Sequence, residues 1–342
     1  MAGDAASTPA LSLPQHLNIV ALETFFTPIP PLRIPAPHTF SLRQYTRTTS
    51  EEVPSRIYDA DILITTTLPL RADALSTQAC PKLGLIAVMA SGTDSIDLAA
   101  CTERGIRVLN SPNCNVDAVA EHAVALYFAT RRSLLPTMRA LNAGDWPRQG
   151  TLMTRTYVAG CSPKTCHDEI VVIVGFGGVG RKVAELLGRL GMKVLVAARK
   201  GGPVPYGRIL FEEALKTATV LVLCCPRSPE TVGLVSTPEF TLMREDVIVI
   251  NVARGGIVDE AAMVTALREG QISGAGVDVF GQEPASPETS PLLDREVQGL
   301  NLVTTPHTAW VAMDTTRNYQ RVLQENIEGY ILGRIQEDRV KA

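Results

Sequence analysis

The sequence predicts an α/β protein of two domains, the larger built on a parallel sheet covered by helices on both faces. Three observations carry this. The chain has 342 residues, 45% of them hydrophobic and 20% charged, the size and composition of two ordinary globular domains. From Glu169 onward the short apolar runs "EIVVIV", "MKVLVA", "TVLVLCC", "DVIVIN", "GAGVDV" and "NLVTT" recur between helical segments. Strands that are apolar along their whole length, rather than on alternate residues, are buried on both sides, as in parallel α/β sheets.

The elements follow in order. The N-terminal segment "MAGDAASTPALSLPQH" has no basic stretch leading into an apolar one, and no run of about 18 apolar residues occurs that would span a bilayer. The expectation is a cytoplasmic protein without membrane contact. A weaker α/β theme then gives strands at residues 17–22, 61–65, 84–90 and 107–109, with the Pro-rich loop "TPIPPLRIPAPHTF" between the first two. A helix is expected over residues 116–132. In "RKVAELLGRLG", Val183, Leu186, Leu187 and Leu190 fall at i, i+3, i+4 and i+7, one helical stripe, and Gly191 sits at the C-cap. The amphipathic tail over residues 315–331 has no strand after it. It is expected to pack on the N-terminal domain, so that residues 1–115 and 311–342 form one discontinuous domain and residues 116–310 the other.

Composition excludes several functions. The formal net charge is −3, with no long basic run, so the electrostatic footprint of a nucleic-acid binder is missing and a small-molecule ligand is expected. The seven cysteines are scattered, which fits reduced thiols. Cys161 and Cys166 with His167 are the one cluster suggestive of zinc, but a structural site needs a fourth ligand and closer spacing. They are read as loop residues, with no metal.

"VVIVGFGGVGRKVAELL" places Gly175, Gly177 and Gly180 as G-x-G-x-x-G between a buried strand and a helix. The first glycine permits the turn, the second lets backbone approach a pyrophosphate, and the third packs helix against strand, with helix N–H groups facing the anion. Gly175, Phe176, Gly177, Gly178, Val179 and Gly180 are therefore candidate cofactor residues. The next strand should end in Asp or Glu for the adenosine ribose, yet it runs into Ala197, Ala198, Arg199 and Lys200. A carboxylate there would repel a 2′-phosphate, and Arg199 can grip one through its planar fork, with Lys200 adding charge. NADPH is the expected cofactor, with NADH possible; the alternative is that both cations are simply solvated.

Three later segments place polar residues just beyond predicted strands: "NVARGGIVDE", "GAGVDVFGQEP" and "TPHTAW". Arg254, Glu283 and His307 thus reach the crevice at the carboxyl ends of the sheet, where such folds bind ligands. An arginine can hold the carboxylate of a 2-oxo acid and polarise its ketone, a histidine can protonate the oxygen after hydride attack, and a glutamate on the other ring nitrogen would orient that histidine.

With those segments, "SGTDSIDLAAC", "NSPNCNVDAVAEHAVAL", "GFGGVG" and "CCPRSPET" extend a resemblance over nearly the whole chain to the D-isomer-specific 2-hydroxyacid dehydrogenases. The "PHTAW" form is similar to glyoxylate/hydroxypyruvate reductases and glycerate dehydrogenases. The resemblance implies a Rossmann-type NAD(P)-binding domain over residues 116–310, a smaller flavodoxin-like substrate domain over residues 1–115 and 311–342, reduction of a 2-oxo acid to a D-2-hydroxy acid, and a homodimer formed through residues 116–132 and "NAGDWPRQGTLMTRTYVAG". It also implies that Ser91 and Gly92 offer N–H groups to the substrate carboxylate and that Asp278 faces the nicotinamide carboxamide. Cys225, Pro226 and Thr231 would lie along the adenosine and ribose, with Val252 and Ala253 beside the cofactor. Trp310 either walls the pocket or packs at a subunit interface. The run "CSPKTCHDEIVVIVG" is longer than the family pattern. The alternatives are an NAD-dependent phosphoglycerate-type dehydrogenase and a non-catalytic, dinucleotide-sensing protein like the C-terminal-binding co-repressors.

Overall fold

The computed structural model describes residues 13–158 and 160–334. The outermost parts of the predicted N- and C-terminal segments, residues 1–12 and 335–342, lie outside the described residues. The chain divides into two compact units, Met1–Asn115 with Ala312–Ala342, and Val116–Val311.

The first unit opens with β1 (His16–Ala21), β2 (Thr39–Gln44), α1 (Val53–Ile57), β3 (Ile62–Thr65), β4 (Leu85–Val88), α2 (Leu98–Glu103) and β5 (Arg107–Leu109). Its strands are all parallel, in the order β2-β1-β3-β4-β5, the arrangement of flavodoxin-like sheets. Thr39 and Phe40, which the sequence pattern places in the Pro-rich loop, belong instead to strand β2. The sequence "TFSLRQ" has no apolar run because β2 is an edge strand without a buried residue, and edges are kept polar.

The second unit holds α3 (Val116–Arg131), α4 (Leu134–Asn142), α5 (Asp145–Gln149), β6 (Ile170–Val174), α6 (Gly178–Arg189), β7 (Lys193–Val196), α7 (Phe211–Thr217), β8 (Val220–Leu223), α8 (Thr237–Leu242), β9 (Ile248–Asn251), α9 (Glu260–Arg268), β10 (Gly274–Val277) and β11 (Leu302–Thr304). The chain then returns to the first unit as α10 (Met313–Ile331), which packs against β4.

The second sheet is parallel in the order β11-β10-β9-β8-β6-β7. Beyond β7, Ile209 makes a single parallel bridge to Ala197, a remnant of a third strand. Counting it, the order reverses between β6 and β8, so the ligand crevice is expected at the carboxyl end of β6. The side chains of each strand alternate between two cores. Val172, Leu221, Val249 and Val277 meet Phe211, Phe240 and Met263 of α7, α8 and α9 on one face. Val171, Ile173, Val220 and Ile250 meet Leu126 and Tyr127 of α3 and Val183 and Leu187 of α6 on the other. Leu190, assigned to the α6 stripe from sequence, is exposed, because the helix ends at Arg189 and Gly191 turns the chain away at φ +92°.

Helix α3 is anchored at its end by a buried ion pair. Arg131 donates from Nε to Glu169 Oε1 at 2.6 Å and from Nη2 to Oε2 at 3.1 Å, with both side chains almost fully buried. Removing one partner of such a pair costs about 3–5 kcal/mol, so the register of α3 against the sheet is strongly held.

Candidate active site

The glycine turn leaves β6 and enters α6. Gly175 sits at φ +91°, and a Cβ on it would lie 2.5 Å from the Cys225 nitrogen; a Cβ on Gly180 would lie 2.0 Å from the Gly175 carbonyl oxygen. Neither position accepts a side chain, whereas a Cβ on Gly177 would meet nothing. Gly177 caps a helix of 12 residues that has no side-chain cap and no acidic residue in its first turn. Backbone N–H groups at a helix start with no acidic residue in its first turn suit a pyrophosphate. These residues fit a dinucleotide.

At the end of β7, Ala197 and Ala198 are buried and Arg199 is exposed. Lys200 is committed elsewhere: its Nζ lies 2.7 Å from Oε1 of the buried Glu239, whose Oε2 accepts from the Ser236 N–H at 2.9 Å. Beyond β8, the Thr231 hydroxyl donates to the Pro226 carbonyl at 2.8 Å and accepts from the Ser228 N–H at 2.7 Å, bracing that turn. In the same loop Glu230 is held below the usual 4.5, first by the Ser228 hydroxyl and its own backbone, and also by the charge of Arg199. An acid therefore does stand near Arg199, but from another loop. Burial pushes the Cys225 thiol up to about 11, so it is an inert wall residue.

The turn after β9 carries Val252 and Ala253, both buried, and Arg254. Asn251 shapes it by accepting from the Ala253 N–H at 3.1 Å and donating to the Arg254 carbonyl at 3.2 Å. Arg254 Nη1 donates to the Ala253 carbonyl at 2.8 Å. The next residue, Gly255, lies against the loop after β10: a Cβ there would be 1.6 Å from the Phe280 carbonyl oxygen. The two loops are thus in backbone contact. Glu260, at the start of α9, fastens them further by accepting from the Gly281 N–H and the Ser290 hydroxyl, each at 2.6 Å.

This clamp presents Glu283 to His307. The imidazole Nδ1 donates to Glu283 Oε2 at 2.6 Å, while Oε1 accepts from the Phe280 N–H at 2.9 Å. Burial pushes the Glu283 carboxyl up, but the His307 bond and charge, the Phe280 N–H and the Arg254 charge outweigh it and hold it below 4.5. His307 itself adopts φ +52°, a left-handed conformation costing about 1 kcal/mol or more that persists only where the surroundings enforce it. The Asp278 carbonyl does so, accepting from the His307 N–H at 2.8 Å.

The geometry therefore brings Glu283 and His307 together, with Arg254 within electrostatic reach. Asp278 is fully buried, and its carboxylate takes bonds from the Thr305 hydroxyl and from the Thr308 and Ala309 N–H groups. Ser91 and Gly92 belong to the first unit, where the Ser91 hydroxyl donates to Asn115 Oδ1 at 3.0 Å. Trp310 packs partly buried on the core beneath α3. The sequence pattern carries no signal that singles out Asn251, Glu260, Thr305 or His122, whose partners lie outside their own elements. Among the described residues no group of three or more His, Cys, Asp or Glu could hold a metal; His167 packs instead on Gly191.

Comparison with known proteins decides the family. The model of the "D-isomer specific 2-hydroxyacid dehydrogenase, NAD binding domain" matches residues 124–309. Glycerate dehydrogenase of Methylorubrum extorquens is 36% identical over 306 residues, 88% of this chain and 91% of that one. The chain belongs to the D-isomer-specific 2-hydroxyacid dehydrogenases. Glyoxylate reductase of Pyrococcus furiosus is 31% identical over 83% of each chain. Among solved structures, the NADPH-dependent glyoxylate/hydroxypyruvate reductase of Sinorhizobium meliloti, in complex with NADP and malonate, superposes with a TM-score of 0.70 at 25% identity, covering 92% of this chain and 93% of that one. As a member of the family, this D-2-hydroxyacid dehydrogenase is an NAD(P)-dependent oxidoreductase with a Rossmann domain. Among its described residues, no helix is long and apolar enough to cross a membrane.

Proposed function

We propose that this dehydrogenase is an NADPH-preferring reductase of small 2-oxo acids to D-2-hydroxy acids, with Arg254, Glu283 and His307 as its catalytic residues. The observation that carries the reading is the 2.6 Å bond between Glu283 and a histidine held in a strained backbone conformation. Bound at the glycine turn, the nicotinamide dinucleotide supplies the hydride. Because Nδ1 is committed to Glu283, Nε2 of His307 is the nitrogen that delivers the proton to the ketone oxygen, and the carboxylate stabilises the charged ring that holds it. The planar Arg254 guanidinium suits the substrate carboxylate and offsets charge developing on the ketone oxygen. The turn residues Gly175, Phe176, Gly177, Gly178, Val179 and Gly180 would hold the pyrophosphate. Cys225, Pro226, Val252 and Ala253 would line its path, and Arg199 would receive the 2′-phosphate.

The Sinorhizobium meliloti relative supports this reading, being described as NADPH-dependent and held with NADP and malonate. Its test is a panel of 2-oxo acids, including glyoxylate, hydroxypyruvate and phenylpyruvate, assayed with NADPH and NADH on the wild type and His307→Ala. Substantial turnover with NADPH that collapses in the variant is the expected result. No turnover of any 2-oxo acid, or an unaffected variant, would refute the reading and favour a dinucleotide-sensing role.

The homodimer is also proposed. Leu134, Met138 and Leu141 form an exposed apolar stripe on α4, continued by Trp146 and Met153, a surface that monomers rarely leave uncovered.

A further inference from the structure

We propose that His122, on α3, is a positioning residue for the reaction, acting through Thr305 and Asp278 on the segment that carries His307. This deepens the assignment of His307 as proton donor and rests on it.

The register that brings His122 there is set by two glycines. A Cβ on Gly274 would lie 2.6 Å from Thr130 Cγ2, and a Cβ on Gly276 would lie 3.0 Å from Leu126 Cβ. Helix α3 therefore lies directly on β10, with Thr130 over Gly274 and Leu126 over Gly276. Four helical residues rise about 6 Å and two strand residues about 6.6 Å, so the next pair in the same register is His122 and Asp278. That pair is found: His122 Nε2 lies 3.6 Å from Asp278 Oδ1 and 2.9 Å from Thr305 Oγ1.

The polarity of this chain of bonds follows from counting hydrogens. The Thr305 hydroxyl has one hydrogen, and it is donated to Asp278 Oδ1 at 2.6 Å. Toward His122 the hydroxyl can therefore only accept, so Nε2 of His122 carries a proton. The Asp278 carboxylate in turn accepts from the Thr308 N–H at 2.9 Å and the Ala309 N–H at 3.0 Å, and its carbonyl accepts from the His307 N–H at 2.8 Å. The N–H groups of His307, Thr308 and Ala309 thus all donate to Asp278, and the Thr305 carbonyl also accepts from the His307 N–H at 3.0 Å. Because a one-ångström misplacement of a catalytic group can cost a hundredfold in rate, the donor on His122 reaches the chemistry without touching the substrate.

The test compares His122→Phe, which removes the donor but keeps the ring, with His122→Gln, whose amide can restore it, beside Thr305→Val and Thr305→Ser. Each enzyme is assayed with saturating cofactor, and rates are normalised to the measured number of dinucleotide sites. The expected result is a roughly tenfold fall in kcat, with little change in the KM of the 2-oxo acid, in His122→Phe and Thr305→Val. Glutamine and serine should recover most of it, and the double variant His122→Phe/Thr305→Val should be no worse than Thr305→Val alone. Independently of activity, nitrogen-15 NMR of histidine-labelled protein at neutral pH should show His122 Nε2 protonated. The proposal is overturned if His122→Phe keeps its kcat, if glutamine fails as badly as phenylalanine, or if Nε2 is unprotonated. An unchanged His122→Phe beside an inactive His307→Ala would sink this proposal alone and leave the proton-donor assignment standing.

Discussion

Replacing Glu283 by glutamine keeps the shape of the dyad and removes its charge. The side chains of His307 and Glu283 are 40% and 33% exposed, so their attraction is screened. Two unit charges about 4 Å apart interact by about 1 kcal/mol in water and about 4 kcal/mol at an effective dielectric of 20. For a half-exposed pair a value near the lower end applies, roughly 1.4 kcal/mol, which corresponds to about a tenfold change in rate. On the proposed mechanism Glu283→Gln should therefore lose about tenfold in kcat/KM for a 2-oxo acid at any pH where the wild-type carboxylate is charged.

The folded Glu283 carboxyl is held below 4.5, so its charge, and the stabilisation it lends the dyad, is present above that value and lost only as pH falls through the lower, folded one. Wild-type activity should therefore show no loss from this group until below about pH 4.5. The assay is a pH series of initial rates at fixed NADPH, with both enzymes checked for stability at each pH. A variant whose loss is the same at every pH would show that Glu283 acts by shape alone and would refute the electrostatic reasoning.

Other substitutions separate the remaining parts. Arg199→Ala should lower the ratio of kcat/KM for NADPH over NADH by roughly 10 to 150-fold, the worth of a charge-assisted bond, whereas Lys200→Ala, already paired with Glu239, should change it less than about threefold. Paired kinetics with the two cofactors decides this. Gly255→Ala forces a Cβ to 1.6 Å from backbone oxygen; it should destabilise the fold by about 1–3 kcal/mol and reduce kcat roughly a hundredfold, read by thermal melting and initial rates. Met138→Glu, in the exposed stripe of α4, should shift the molecular mass measured by light scattering toward that of one chain while leaving the fold intact by circular dichroism.

What the sequence made legible was local. The turn at Gly175–Gly180, the apolar strands and the α6 stripe each encode their own geometry within a few residues, and these agree with the structure apart from Leu190 at the helix end. The edge strand β2 was not legible because an exposed edge needs no apolar pattern. Arg254, Glu283 and His307 were legible as residue types at strand ends, but their mutual distances were not, since these depend on backbone contacts such as Gly255 against Phe280.

His122 and Glu239 show where local reading stops. Both act on residues far along the chain, Glu239 on Lys200 and His122 on Thr305, and the partner is fixed only once helix and sheet have docked. Yet a trace of that docking is written in "GAGVD": glycine at two successive inward positions of a buried strand leaves room for a helix backbone, and the third such position is Asp278. A strand that gives up two side chains to bring a helix close, and then ends in a buried carboxylate, requires a polar residue on that helix. The four-residue spacing of Thr130, Leu126 and His122 supplies it. Asp278, which holds the backbone from His307 to Ala309, and the His122 donor therefore share one packing decision, so enlarging Gly274 or Gly276 should disturb the turn at His307 as surely as altering the turn itself.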